Sequence, residues 1–165
     1  SKVTAGFFDI TVLPILELWD ASVKMNKLPS QIRLQNALQK VSYKKLTLNE
    51  KTHELIFANG GIKLDFGAIG KGYLADIAAK LMQKEGIERG LINCGGGIVV
   101  YDQSKNPKSF RIQIYNPDEN VANAIKPGAS AVIEMINGSI QTSGDYNRYY
   151  EIDGKKYSHI IDPHT

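Results

Sequence analysis

The sequence of 165 residues predicts an α+β fold, with two or three helices packed on a largely antiparallel sheet. Three observations predict it. Apolar residues recur at helical spacing across residues 12–19, 32–41 and 74–82. Short apolar or alternating runs bounded by turn residues fill much of the remainder, most densely after Leu91. The turns Asn59-Gly60-Gly61, Asn137-Gly138 and Asp153-Gly154 are of the kind that joins antiparallel neighbours.

Taken in order, Ala5-Gly6-Phe7-Phe8-Asp9 is a glycine-relieved segment that delivers Asp9 and Thr11 just ahead of the first helix. Thr11 suits the cap of that helix, and capping alone would account for both residues. Val12, Leu13, Ile15, Leu16, Leu18 and Trp19 make the helix almost fully apolar and therefore buried. Pro14 is tolerated in its first turn, where N–H groups lack intrahelical partners. Pro29 and the N-cap candidate Ser30 announce a second, packing helix through Ile32, Leu34, Leu38 and Val41. Leu46-Thr47-Leu48 and Leu55-Ile56-Phe57 read as two strands with His53 in their polar connection, a position where a histidine is usually solvated.

Ile62 and Leu64 alternate as a buried strand end does. A third helix follows, with Leu74, Ile77, Ala78, Leu81 and Met82 on one face and its end near Glu85-Gly86. Strands through Leu91-Ile92-Asn93-Cys94 and Ile98-Val99-Val100-Tyr101 flank three glycines, 95–97, which serve either a tight turn or close approach to a flat ligand. Residues 110–115 form a strand with one wet face, closed by Asn116-Pro117-Asp118, and 119–128 read as a variable loop. Residues 132–136 and Ile140 pair as a hairpin around Asn137-Gly138. Two final strands joined at Asp153-Gly154 bring Thr142, Ser143, Asp145, Arg148 and His159 toward one another.

Composition narrows the function. A net charge of +3, dispersed and without basic runs interleaved with aromatics, argues against nucleic acid. Cys94 is the only cysteine, so no internal disulfide or thiolate cluster is available, and the residue reads as a small buried apolar side chain. No run approaches the ~18 apolar residues that span a bilayer.

Chemistry concentrates at the junction Asp65-Phe66-Gly67-Ala68-Ile69-Gly70-Lys71-Gly72-Tyr73. Glycines there permit positive φ or close approach, the first N–H groups of the helix make an anion site, and Lys71 adds a mobile cation. A phosphate-bearing ligand is the expectation, with Asp65 holding a polar group or a metal; the plain alternative is a glycine-softened turn with a surface lysine. A Walker A loop is excluded, because Asp65 stands where it needs glycine and Gly72 where it needs Ser or Thr. The spacing from Gly67 also fails the dinucleotide fingerprint. Asp65-Phe66-Gly67 lacks the other kinase motifs. His159 beside Asp162 suits a general base or a phosphate contact, since imidazole titrates near neutrality and a carboxylate can fix its tautomer; a structural role is the alternative.

Three blocks together resemble the ApbE-type FAD:protein FMN transferases, formerly called thiamine biosynthesis lipoproteins. They are Gly6-Phe7-Phe8-Asp9-Ile10-Thr11 with Pro14 and Trp19, then residues 65–73, then Thr142-Ser143-Gly144-Asp145-Tyr146 through Ser158-His159-Ile160-Ile161-Asp162-Pro163. Asn93-Cys94-Gly95-Gly96 fits the N-x-G-G block of that family. The resemblance implies magnesium-dependent cleavage of FAD, transfer of FMN to a Thr or Ser of a target flavoprotein, and release of AMP. FAD hydrolysis, as a pyrophosphatase, and a non-catalytic flavin carrier are the alternatives. It implies that Phe8, Asp9, Thr11, Lys71 and Ile161 contact FAD, that the Ala68 carbonyl helps hold Mg2+, and that His159 takes the proton of the acceptor hydroxyl. The family usually carries Ala where Gly70 stands. By the same resemblance the family's side-chain metal ligands, in an A-D-A-x-x-T-like block, fall beyond Thr165, and its lipobox falls before Ser1. Residues 1–165 would then be a single domain truncated at both ends, from a protein held by a lipid anchor on the extracytoplasmic face of the bacterial membrane.

Overall fold

The structure, a computed structural model, describes residues 1–115, 129–145 and 148–164. The turn 116–118 and the loop 119–128 expected from the sequence lie outside these residues. Three α-helices are present among them, α1 (Leu13–Lys24), α2 (Gln31–Leu38) and α3 (Gly67–Lys84), and every strand pairing is antiparallel. The fold is α+β as expected, but among the described residues the strands divide into four small sheets.

The chain divides into two compact units, Ser1–Phe66 with Gly144–Thr165, and Gly67–Ser143. In the first unit α1 packs on α2, and the two bury Ile15, Leu18, Ala37 and Val41, with Trp19, Leu34 and Ile161 against that cluster. Ile15, Leu18 and Val41 each contribute ~1.5–3 kcal/mol when fully buried, and Ala37 less. Ser30 caps α2 by accepting the Arg33 N–H at 3.4 Å, as its position before the apolar pattern predicts. Strands β1 (Leu46–Asn49) and β2 (Glu54–Phe57) form a hairpin with His53 exposed in its turn. Strands β8 (Tyr149–Ile152) and β9 (Lys155–Ser158) form another, whose turn residues Asp153 and Gly154 both have positive φ. Trp19 of α1 stacks on Tyr150 at 5.5 Å and lies beside Tyr157 at 5.3 Å, which fixes this hairpin to the helix. Ile62 and Leu64 are not in a strand; their segment is irregular and is tied down by the Asp65 N–H, which donates to the Ile10 carbonyl at 2.7 Å.

In the second unit α3 packs on β3 (Arg89–Cys94) and β4 (Gly97–Asp102), and β4 also pairs with β7 (Gly138–Gln141). The face of α3 that is buried differs from the apolar stripe of the sequence reading. Ala75 and Ala79 are buried, whereas Leu74, Ile77 and Leu81 are 61%, 44% and 56% exposed. Small residues win because the helix lies close to the sheet: a Cβ on Gly72 would stand 2.5 Å from Nε2 of Gln141.

Strand β5 (Phe110–Tyr115) pairs with β6 (Ala129–Met135), a separate sheet. Residues on either side of Asn137-Gly138 therefore do not pair as a hairpin, because β6 and β7 belong to different sheets. Asn137 instead accepts the Asp102 N–H through Oδ1 at 3.0 Å and closes the end of β4. Asp102, its side chain 1% exposed, accepts from the Ser104 N–H and hydroxyl, from the Lys108 N–H and from Arg89 Nε. The Lys108 N–H and the Ser104 hydroxyl do most to hold its pKa down, at about 2. No helix among the described residues is long and apolar enough to cross a membrane.

Candidate functional site

The residues singled out by the sequence are divided between the two units. In the second, α3 begins at Gly67, so by helix geometry the N–H groups of Ala68 and Ile69 have no intrahelical acceptor. The first turn carries no acidic residue, and Lys71 follows directly. A cation beside the positive end of an 18-residue helix opposes the helix dipole, an arrangement that favours an anion more than it favours the helix.

Lys71 reaches over the turn between β3 and β4. Its Nζ lies 3.5 Å from where a Cβ on Gly95 would stand. That turn is where positive φ is required: Gly95 has φ 63° and Gly96 φ 93°, and Asn93 Oδ1 accepts the Gly96 N–H at 3.2 Å. Gly67, Gly70 and Gly72 do not adopt positive φ, the first of the two uses the sequence offered for them. Gly72 is explained by its contact with Gln141, and Gly70 has no neighbour within 4 Å of a built Cβ. Cys94, at the start of this turn, is half-buried and not a core residue.

Ala68 is the second residue of α3 and is exposed. Among the described residues no group of three or more His, Cys, Asp or Glu is arranged to hold a metal. A hard divalent cation takes about six oxygen ligands. One backbone carbonyl supplies at most one of these, so the described residues do not by themselves complete such a site.

In the first unit, Asp9 and Thr11 form a buried knot. The Thr11 N–H and hydroxyl both donate to Asp9 Oδ1, at 2.9 and 2.7 Å. The Tyr43 N–H donates to Asp9 Oδ2 at 2.8 Å, and the Ser42 N–H to Thr11 Oγ1 at 2.8 Å. Thr11 does not cap α1: the N-cap is Val12, without a side-chain bond, because the Thr11 hydroxyl is already engaged with Asp9 and Ser42. Phe8 is half-buried beside this knot, and its N–H donates to Thr4 Oγ1. Ile161 packs against the core of α1 and α2.

His159 follows β9 and is half-buried, with Nδ1 2.6 Å from the Arg148 carbonyl. A carbonyl can only accept, so Nδ1 carries the proton and Nε2 keeps its lone pair in the neutral ring. The sequence reading gave this orienting role to Asp162. Asp162 Oδ1 instead accepts the N–H of His164 at 2.8 Å and lies 3.1 Å from its Nδ1. His164 in turn sits edge-on to Phe7 at 4.8 Å and over Gly6, where a Cβ would be 3.1 Å away. Sequence reasoning missed both the Arg148 carbonyl and His164. Every residue has a carbonyl, so nothing marks this one; the spacing of Asp162 and His164 was the only signal for the other.

Comparison with known proteins finds relatives along the whole chain. The ApbE family model matches residues 1–165. The FAD:protein FMN transferase of Escherichia coli (strain K12) is 34% identical over 166 residues, covering 98% of this chain and 46% of that protein. That of Treponema pallidum (strain Nichols) is 28% identical, covering 100% and 48%. The crystal structure of the ApbE protein from Thermotoga maritima MSB8 superposes with a TM-score of 0.84 at 29% identity, over 99% of this chain and 52% of that one. The flavin transferase ApbE from Vibrio cholerae gives 0.72 at 27%, over 99% and 50%. The chain thus spans about half the length of the relatives it matches. With its full length matched, the chain belongs to the ApbE family.

Proposed function

We propose that this chain is part of an enzyme that transfers FMN from FAD to the hydroxyl of a Thr or Ser in an acceptor flavoprotein, with release of AMP. The observation that carries the reading is the tautomer of His159: Nδ1 is held by the Arg148 carbonyl, which leaves Nε2 as a base. The acceptor oxygen forms a bond to the FMN phosphorus while its proton passes to Nε2. The phosphoanhydride P–O bond breaks, and its electron pair leaves on the AMP phosphate. The amides at the start of α3 and the Lys71 ammonium suit the negative charge of the diphosphate. The same reading gives Phe8, Asp9, Thr11 and Ile161 to FAD, the polar pair acting by fixing the backbone around it.

Magnesium dependence belongs to this proposal. The ion would supply Lewis-acid neutralisation of phosphate charge, with the Ala68 carbonyl as one ligand and the others from outside the described residues. Attachment to the extracytoplasmic face of the bacterial membrane through a lipid anchor outside this chain is proposed likewise; failure of the parent protein to take up labelled fatty acid would reject it.

The chain is incubated with FAD, Mg2+ and a Thr-containing acceptor peptide, and both products are followed by mass spectrometry and chromatography. Covalent FMN on the peptide with an equal amount of AMP supports transfer. FMN and AMP with unmodified peptide identify a hydrolase, in which water replaces the hydroxyl. Intact FAD retained by the protein identifies a flavin carrier.

A further inference from the structure

We propose that the groove between α1, α2 and residues 61–63 docks an extended acidic segment of a protein partner, with the pattern acid-x-apolar-x-acid. The groove lies within the first unit and has a volume of about 370 Å³. Its floor is apolar, with Pro14, Leu18 and Ala37 all buried. Its rim is basic. Arg33, Lys40 and Lys63 stand around it against a single carboxylate, Glu17, both of whose oxygens accept from Lys63 Nζ at 2.8 and 2.7 Å. Among the described residues no carboxylate pairs with Arg33 or Lys40. Two cations are therefore left over at the mouth of a groove with an apolar base.

The spacing of these cations selects the ligand. Arg33 lies in α2 and Lys40 two residues beyond its end, in a tighter turn where the Lys40 N–H donates to the Ala37 carbonyl at 3.0 Å, so seven residues separate them along a path that rises roughly 10 Å. Asn36 lies between them on the same wall. In an extended chain, residues i, i+2 and i+4 share a face, and i to i+4 spans about 13 Å. Carboxylates at i and i+4 then meet the two cations, whose long side chains absorb the difference, while an apolar residue at i+2 faces the floor. A lone phosphate would require both side chains to converge and would leave that floor uncovered. Gly61 sets the position of Lys40: its φ is +81°, and a Cβ there would stand 3.3 Å from Lys40 Cε, so the lysine stem rests on bare backbone.

The test uses the full chain and a fluorescein-labelled peptide, Gly-Glu-Ser-Leu-Ser-Glu-Gly, read by fluorescence anisotropy. We expect saturable binding that weakens with added salt and is at least tenfold weaker when both Glu of the peptide are replaced by Gln. The double variant Arg33→Glu/Lys40→Glu should lose at least tenfold, and Gly61→Ala should lose part of the affinity. Lys51→Glu/Lys155→Glu, an equal charge change elsewhere, should bind as the parent does. The comparison of acidic and amide peptides on the unaltered chain needs no variant to fold. Absence of saturable binding, equal loss in both double variants, or equal binding of a peptide with Ser in place of Leu would overturn the proposal. So would displacement by inorganic phosphate or AMP at concentrations that leave sodium chloride without effect, which would identify a small-anion site. This binding is independent of FMN transfer, and either can fail while the other stands.

Discussion

The ring of His159 is oriented by main chain: Nδ1 donates to the Arg148 carbonyl at 2.6 Å, from the residue that immediately follows β9 to the one that immediately precedes β8. The β8–β9 hairpin therefore sets both partners of this bond by its own register, in which Tyr149 opposes Ser158. A base held this way keeps its tautomer whatever side chain stands at position 148.

His159→Ala should therefore remove most of the proposed transfer, by about 10²–10⁴-fold, the usual worth of a positioned base. FAD affinity, followed by quenching of flavin fluorescence, should stay within a few-fold. An unchanged rate of flavin incorporation would reject the assignment. Arg148→Ala should keep the hydrogen bond, because the backbone supplies it.

The Asp9–Thr11 knot separates two roles that the sequence could not. Thr11 is fully buried and its hydroxyl accepts from the Ser42 N–H. Thr11→Val keeps the shape and strands that donor, so the first unit should lose about 1–3 kcal/mol, the cost of a buried unsatisfied polar group. Chemical denaturation measures it. A variant of parental stability that nevertheless binds FAD poorly would move Thr11 from scaffold to ligand contact.

What the sequence made legible is what local chemistry decides. Ser30 capping α2, the Asp153-Gly154 turn and the glycines at 95 and 96 each follow from one residue's backbone or side-chain preference. Partner choice over distance was not legible. Asn137-Gly138 has the composition of a hairpin turn, yet β6 pairs with β5 and β7 with β4, because strand pairing depends on the whole unit. The buried face of α3 was misjudged for a related reason. Apolarity pointed to Leu74, Ile77 and Leu81, but close approach to the sheet selects the smallest residues, Gly72, Ala75 and Ala79. In the candidate site, the identity of His159 was readable from its surroundings in sequence, whereas its orienting partner was a carbonyl and left no mark.

Asp102 gives the second unit an acid-sensitive tie. The Lys108 N–H first, then the Ser104 hydroxyl, lower its pKa from 3.8 to about 2, with smaller help from the Ser104 N–H and Arg89. The folded value lies below the unfolded one, so the stabilisation is complete above roughly pH 4 and is lost as pH falls through the window toward 2. Thermal melts should show this loss. Asp102→Asn should melt lower than the parent at pH 7, because its amide presents N–H groups to donors, and should depend less on pH below 4. Identical acid profiles in the two proteins would remove Asp102 from the account.

Two glycines five and seven residues after Asp65 should respond oppositely to the same substitution. A Cβ on Gly70 meets nothing within 4 Å, and its φ is not positive, so Gly70→Ala gains helix propensity without strain. It should stabilise the second unit by about 0.5–1 kcal/mol. A Cβ on Gly72 stands 2.5 Å from Gln141 Nε2, and Gln141 also lies over Gly97, where a Cβ would be 3.3 Å from the same atom. Gly72→Ala must turn that amide away, and because Gln141 faces Gly97 in the β4–β7 register, the change is felt at the turn beneath Lys71. Its melting temperature should fall below that of Gly70→Ala, and the double variant Gly72→Ala/Gln141→Ala should recover part of the difference by removing the obstructing side chain. If the single Gly72 variant matches Gly70→Ala in stability, the amide is free to move and the close packing of α3 at this point does not depend on glycine.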